Sequence, residues 1–149
     1  MSLDDRDYLI LKNISKSLKI SYKELSKITN TPETTIRYRV QRLRAQGILK
    51  DYAAIISEEK LGYNVTAIIN IRIYGRPITK EITDKISSLK QVLFLYVVTG
   101  DRDIVALVKC RGIDELGYII EKIHEIKGVE RTTTSIVLKK LKECYEIPL

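Results

Sequence analysis

No run of about 18 uncharged apolar residues occurs in this chain of 149 residues, so no helix of it is expected to span a bilayer. Cysteine is nearly absent. Cys110 and Cys144 are the only two, they lie far apart, and neither belongs to a CxxC or CxxxH cluster. Such spacing argues against a structural zinc site and fits two unpaired thiols in a reducing cytosol. Histidine occurs once, at His124, beside Ile123 on an amphipathic segment, where it sits at the edge of a core stripe. There is no glycine-rich nucleotide loop, no metal-ligand cluster and no nucleophile–base pair. The opening residues Met1 to Arg6 are acidic and polar, not basic and then apolar as in a secretory leader. The expectation is a cytoplasmic protein without cofactor or metal, and not an enzyme.

What the chain does have is positive charge, unevenly placed. Residues 1–50 hold 11 Lys and Arg against 5 Asp and Glu, whereas residues 51–149 hold 15 against 14, so nearly all of the net +7 belongs to the first third. A polyanionic partner for that third is the simplest reading, and a merely solvated basic surface is the alternative. At 44% apolar and 30% charged, the chain can bury one good core or two small ones.

Three helical segments follow one another in that first third. Leu3, Tyr8, Ile10, Leu11 and Ile14 fall near a 3-4 repeat, with Asp4, Asp5 and Asp7 in the opening turn, where the helix dipole favours acid. The second begins Ser21-Tyr22-Lys23-Glu24, a capping-box pattern, and buries Leu25 and Ile28. In the third, Thr31 is placed to cap, Pro32 suits the first helical position, and Ile36, Val40 and Leu43 give the core face up to a stop at Gly47. Only Asn30 and Thr31 separate helices two and three, and Asn tolerates the left-handed backbone of so tight a corner.

The other face of the third helix carries Thr34, Thr35, Arg37, Tyr38, Arg39, Gln41, Arg42 and Arg44. Thr34, Thr35 and Tyr38 lie early, where a helix-turn-helix reading element meets base edges. Arg37, Arg39 and Arg42 can reach guanine edges or phosphates. Arginine to the exclusion of lysine over this stretch suits planar, bidentate recognition. Double-stranded DNA is therefore the expected partner.

The remaining residues read as strands and helices in alternation. Tyr52 to Ile56 suggests a short strand and Ser57 to Gly62 a helical turn, within a connector over 50–63. Beyond it the pattern gives a strand over 64–75, a helix over 77–89, strands over 92–99 and 104–110 around the turn Gly100-Asp101-Arg102-Asp103, a helix over 114–127, and a last strand over 132–141. The fold expected is α+β: a winged-helix-like helix-turn-helix domain over 1–49, then a βαββαβ ferredoxin-like sandwich over 64–149. Strands 92–98 and 104–108 are apolar on both faces although helices can cover only one. A second copy of the same sheet is the economical cover, so a homodimer or larger closed assembly is expected.

In order and spacing these features resemble the Lrp/AsnC, or feast/famine, family of bacterial and archaeal transcription regulators over almost the whole chain. Leu3-Asp4, Asp7, Ile10-Leu11 and Ile14 resemble that family's LDxxDxxILxxL start, and Ser21 to Leu25 its SxxEL second helix. Pro32, Thr35-Ile36, Arg39-Val40, Arg42-Leu43 and Gly47-Ile48 resemble its recognition helix. Glu59-Lys60-Leu61-Gly62, the turn Gly100-Asp101 with Asp103, and Val129-Glu130-Arg131-Thr132 with Thr134 match further on. Asn30, where the family commonly has glycine, and Tyr38 and Gln41, where basic residues are common, depart from it.

The resemblance implies dimers that assemble to tetramers or octamers on the nucleoid, and in many members an amino-acid effector at the seam between dimers. Carried onto this chain, its seat would involve Gly100, Asp101, Asp103, Thr132 and Thr134. A glycine turn offers backbone N–H groups to a carboxylate, and Asp101 or Asp103 an oxygen to an ammonium; a plain hairpin with solvated aspartates fits the same residues. Two other functions share parts of this pattern. An architectural DNA-binding protein of low specificity would use the same arginines on phosphates. Sirohaem decarboxylases share the two-domain plan, but their chemistry would lean on histidines and arginines lining a cofactor cleft, and this chain has a single histidine, His124.

Overall fold

The computed structural model describes residues 3–17, 19–50, 54, 56–75 and 77–142. They form two compact units, one within the first 55 residues and one over Ile56–Leu141.

The first unit consists of α1 (Asp5–Lys16), α2 (Tyr22–Thr29) and α3 (Glu33–Ala45). None is long enough to persist alone in water. They are held by one shared core of Ile10, Ile14, Leu25, Ile36, Val40 and Leu43, each side chain contributing about 1.5–3 kcal/mol on burial. Both α1 and α2 open on a full capping box. Ser21 and Glu24 form the second, as expected from the sequence, and Asp4 and Asp7 form the first, beyond the dipole role that the sequence suggests for them. Asn30 takes the left-handed conformation, φ 47°, and turns the chain sharply into α3.

The start of α3 differs from expectation. Pro32 occupies the cap position and no side chain caps the helix. The hydroxyl of Thr31 is buried under the corner and donates to the Thr29 carbonyl at 3.0 Å instead. At the other end Gly47, φ 69°, stops the helix as expected, with the Ile48 N–H returning to the Leu43 carbonyl.

The second unit begins with a short 3-10 turn, Glu59–Leu61, and continues β1 (Val65–Ile73), α4 (Lys80–Ser87), β2 (Val92–Val97), β3 (Ile104–Cys110), α5 (Ile113–His124) and β4 (Val129–Ile136). Its four strands stand in the order β2-β3-β1-β4, with every neighbouring pair antiparallel. The expected βαββαβ order is thus present, with shifted ends. Helix α4 starts at Lys80, not at Pro77, because Thr79 caps it. The last strand starts three residues before Thr132, because Gly128, φ 103°, turns the chain straight into pairing with Ile73. A Cβ at Gly128 would lie 2.9 Å from the Ile82 side chain, so only glycine fits there without a shift. The strand expected over Tyr52–Ile56 lies largely outside the described residues.

Both helices pack on one face of the sheet. Ala67, Ile69, Ile71 and Ile73 of β1 and Ile104, Ala106, Val108 and Cys110 of β3 meet Ile82 and Ile86 of α4 and Leu116, Ile119 and Ile123 of α5. Burial pushes the Cys110 thiol up to about 11, which keeps it protonated and inert; Cys144 lies outside the described residues.

The opposite face holds the alternate residues. Phe94 pairs across strands with Leu107, and Tyr96 with Val105. The Phe94 and Tyr96 rings stack, with centroids 6.1 Å apart and planes 8° from parallel. Phe94 is 46% exposed, Tyr96 55% and neighbouring Ile68 36%. At the end of this face Lys109 is buried under an ion pair with Glu58, which also holds Lys140. The lysines keep the Glu58 carboxyl below the usual carboxylate range, the Lys109 hydrogen bond contributing most. No described element of this unit covers the aromatic part of the face.

Candidate DNA-reading surface and effector turn

Helix α3 buries Ile36, Val40 and Leu43 and so turns the rest of its circumference away from the core. Thr34, Tyr38 and Gln41 lie opposite that stripe and are exposed; Tyr38 is 65% open to solvent. Thr35 is half-buried. Arg37 is exposed, yet already ordered. Its guanidinium lies 4.9 Å from the centre of the Tyr22 ring on α2 and 3.6 Å from Glu33 one turn earlier. A cation resting on an aromatic face with its edge free is preorganised for a planar acceptor.

Arg39 and Arg42 are placed otherwise. Helical spacing alone puts them on the outward face, but both fold back onto the start of α1. Arg39 Nη1 donates to Asp4 Oδ1 and Oδ2 at 2.9 and 2.7 Å and to Asp7 Oδ1 at 2.8 Å. Arg42 Nη2 donates to the other Asp7 oxygen at 2.5 Å. Asp7 is 1% exposed, while the two arginine side chains retain 16% and 21%. Arg39 beside it holds the Asp4 carboxyl below the usual carboxylate range, and the two acids raise Arg39 in return. Each guanidinium still leaves its buried Nε without a partner. A signal for this arrangement exists in the sequence. Asp7 precedes Ile10 by three residues and Ile14 by seven, which puts an acid on the apolar stripe of α1, where it needs a cation. Arg39 follows Ile36 by three residues and precedes Leu43 by four, at the border of the α3 core face.

At the β2–β3 turn, Gly100 adopts φ 107°, a conformation that leaves the turn's backbone free of side-chain bulk. Asp101 is exposed, and its carbonyl accepts from Arg72 at 3.5 Å and from Arg102 at 3.3 Å. Asp103 is committed to the fold. Its carboxylate accepts the Ile73 N–H at 2.8 Å, where the β1–β4 register slips, and its own N–H reaches the Ile71 carbonyl. Of the two aspartates, Asp101 is therefore the one whose carboxylate the fold does not employ.

Thr132 and Thr134 pair with Ile71 and Ile69 on the far side of β1 from the hairpin. Two strand spacings, about 10 Å, separate that column from β3. The Thr132 hydroxyl lies 2.8 Å from His124 Nε2, which gives the histidine a structural partner. One chain alone thus does not bring all five effector candidates to a single point. Among the described residues there is no cluster of three or more metal-ligating side chains, and no helix is long and apolar enough to cross a membrane.

Comparison with known proteins adds to this geometry. A family model described as the Lrp/AsnC ligand binding domain matches residues 66–147, and one described as winged helix-turn-helix DNA-binding matches residues 3–50. The chain is 37% identical over 147 residues to the HTH-type transcriptional regulator FL11 of Pyrococcus furiosus, covering 99% of this chain and 97% of that one. Identity to the regulator of the same name in Pyrococcus abyssi is 36% over 149 residues, covering 100% and 98%. Among solved structures, E. coli AsnC is similar at TM-score 0.89 and 30% identity, covering 96% of this chain and 97% of that one. A transcriptional regulator of Neisseria meningitidis, solved as an L-Met complex, is similar in fold at TM-score 0.92 and 22% identity, covering 99% and 97%.

Proposed function

The chain belongs to the Lrp/AsnC family of DNA-binding transcription regulators, and from that premise we propose that it works as a homodimer on paired half-sites in double-stranded DNA, in the cytoplasm and on the nucleoid. The observation that carries the reading is the exposed early face of α3. Thr34, Arg37, Tyr38 and Gln41 stand clear of the core on a helix fixed at a sharp corner to its neighbour. Residues at that end of a recognition helix meet base edges in the major groove. The dimer is supported by the uncovered apolar face around Phe94, Tyr96, Val105 and Leu107, whose outer strand β2 carries no charged residue. Further pairing of dimers to tetramers or octamers follows the family pattern.

The first test is a footprint on DNA from upstream of the protein's own gene, with competitor DNA and about 0.15 M salt. A protected, near-palindromic site with half-sites about 10 base pairs or a multiple apart is the expected result. Binding that disappears with competitor would instead describe an architectural protein that holds phosphates without reading sequence.

The second part of the proposal is an amino-acid effector, whose carboxylate meets the N–H groups of the Gly100 turn and whose ammonium meets Asp101. The methionine complex of the Neisseria meningitidis regulator supports that ligand class. Because Thr132 and Thr134 lie across β1 from the hairpin, the seat is completed by another copy of the chain. Calorimetric titration with the twenty amino acids is expected to give heat with one or a few of them, and none of it after Asp101→Ala. Absence of heat from all twenty in the wild type would remove the effector and leave a plain hairpin.

A further inference from the structure

The recognition helix carries four arginines, and two of them are held inside the protein. Arg39 and Arg42 between them donate four charge-assisted bonds of 2.5 to 2.9 Å to Asp4 and Asp7. A carboxylate offers a guanidinium the same planar pair of acceptors that a phosphate does. The two acids are themselves anchored, since they form the capping box that starts α1. A buried ion pair of this kind adds little net stability over an apolar contact, because both charges leave water. Here each guanidinium also keeps a buried, unpartnered Nε, so the network is incompletely satisfied as a structural element. Its effect falls on the charge that α3 can present.

We propose that Asp7, assisted by Asp4, competes with DNA phosphate for Arg39 and Arg42 and thereby suppresses binding to sequence at large. This rests on the DNA-binding reading above and adds a device for specificity to it. Affinity for arbitrary duplex grows with each phosphate contact, because each releases condensed counterions. Two arginines withheld per chain lower that background. The exposed residues Thr34, Arg37, Tyr38 and Gln41, which face away from the acids, remain to read bases. The competitor lies on the same unit as the recognition helix, so the restraint acts whether or not a partner or effector is bound.

The test uses the full chain and a labelled random-sequence duplex, with affinity followed by fluorescence anisotropy as salt is varied. Asp7→Asn keeps the shape and removes the charge. It is expected to steepen the dependence of log affinity on log salt by up to about two per chain, since each phosphate newly engaged adds about 0.9. Affinity for the random duplex at low salt should rise, and the ratio of specific to random binding should fall. Asp4→Asn retains a good cap residue at an exposed position, so folding is preserved if the buried substitution destabilises the unit. It removes the charge and one of the two Asp4 oxygens that accept from Arg39 and is expected to shift the slope the same way, by up to about one. A folded variant whose slope is unchanged or shallower overturns the proposal, since loss of a purely structural ion pair would weaken binding without engaging further phosphates. A wild type that binds no duplex at all would overturn the DNA-binding reading first, so the two failures are distinct.

Discussion

A Phe94→Asp protein is expected to sediment as a monomer at micromolar concentration and to lose at least about 100-fold in affinity for its paired site, the low end of what linking two binding modules gains. The residue lies on the uncovered face of the sheet, stacked on Tyr96 and opposite Leu107 on the neighbouring strand. In a pair of sheets packed face to face, both copies of the new carboxylate would enter an apolar layer with no cation on β2 to meet them. An unpaired buried charge costs several kcal/mol, and symmetry doubles the penalty. In the isolated chain, by contrast, position 94 is half open to water, so the substitution leaves the unit folded. Circular dichroism and melting establish that last point, and sedimentation equilibrium with a gel shift reads the rest. A Phe94→Asp protein that remains dimeric would move the interface off this face altogether.

The second large effect is expected at Arg37. Arg37→Ala should cost about 1–3 kcal/mol at each half-site, and twice that for a dimer engaging both. The guanidinium is exposed, supported from beneath by Tyr22, and not tied down by a close ion pair as Arg39 and Arg42 are. Quantitative footprinting on the specific site and on single-base variants separates two roles. If Arg37 reads a guanine edge, discrimination relaxes at one position of each half-site. If it grips a phosphate, affinity falls alike for all sequences and the salt dependence loses about one unit per chain. Wild-type affinity in Arg37→Ala would place DNA reading elsewhere on α3.

Much of this architecture is legible in the sequence, for local reasons. The capping box at Ser21 and Glu24, the left-handed Asn30, and the stops at Gly47, Gly62 and Gly128 are each decided by residues within a turn of one another. Apolar spacing places every strand and helix of the second unit, although Thr79 and Gly128 move two starts by three residues, α5 ends at His124 and not at 127, and β4 ends at Ile136 and not at 141. The long-range pairings are less accessible. That Asp7 accepts from both Arg39 and Arg42 depends on α1 meeting α3 across more than thirty residues of sequence. A helical wheel drawn for α3 alone brings Arg39 to the border of the core face but does not name the acid it meets. The same holds for Asp103, which looks like a free hairpin acid until its carboxylate is seen on the Ile73 N–H. The separation of Thr132 from Gly100 is a matter of strand order, β4 beyond β1, which periodicity does not encode.

Strand β2, Val-Leu-Phe-Leu-Tyr-Val, forms one border of the sheet and contains no charge and no proline. Six such residues, rich in β-branched and aromatic side chains, are the composition that seeds cross-β stacking when a border is left bare. The opposite border, β4, is interrupted by Glu130 and Arg131 and continues through threonines, which discourages indiscriminate pairing. Among the described strands the aggregation hazard of a newly made chain therefore lies on the strand that bears Phe94 and Tyr96. The proposed dimer would then protect the chain in the cell as well as pair its half-sites on DNA. Mutations that weaken the proposed self-association without adding charge to β2, as Phe94→Asp does, are expected to lower the amount of soluble protein before any promoter registers the loss.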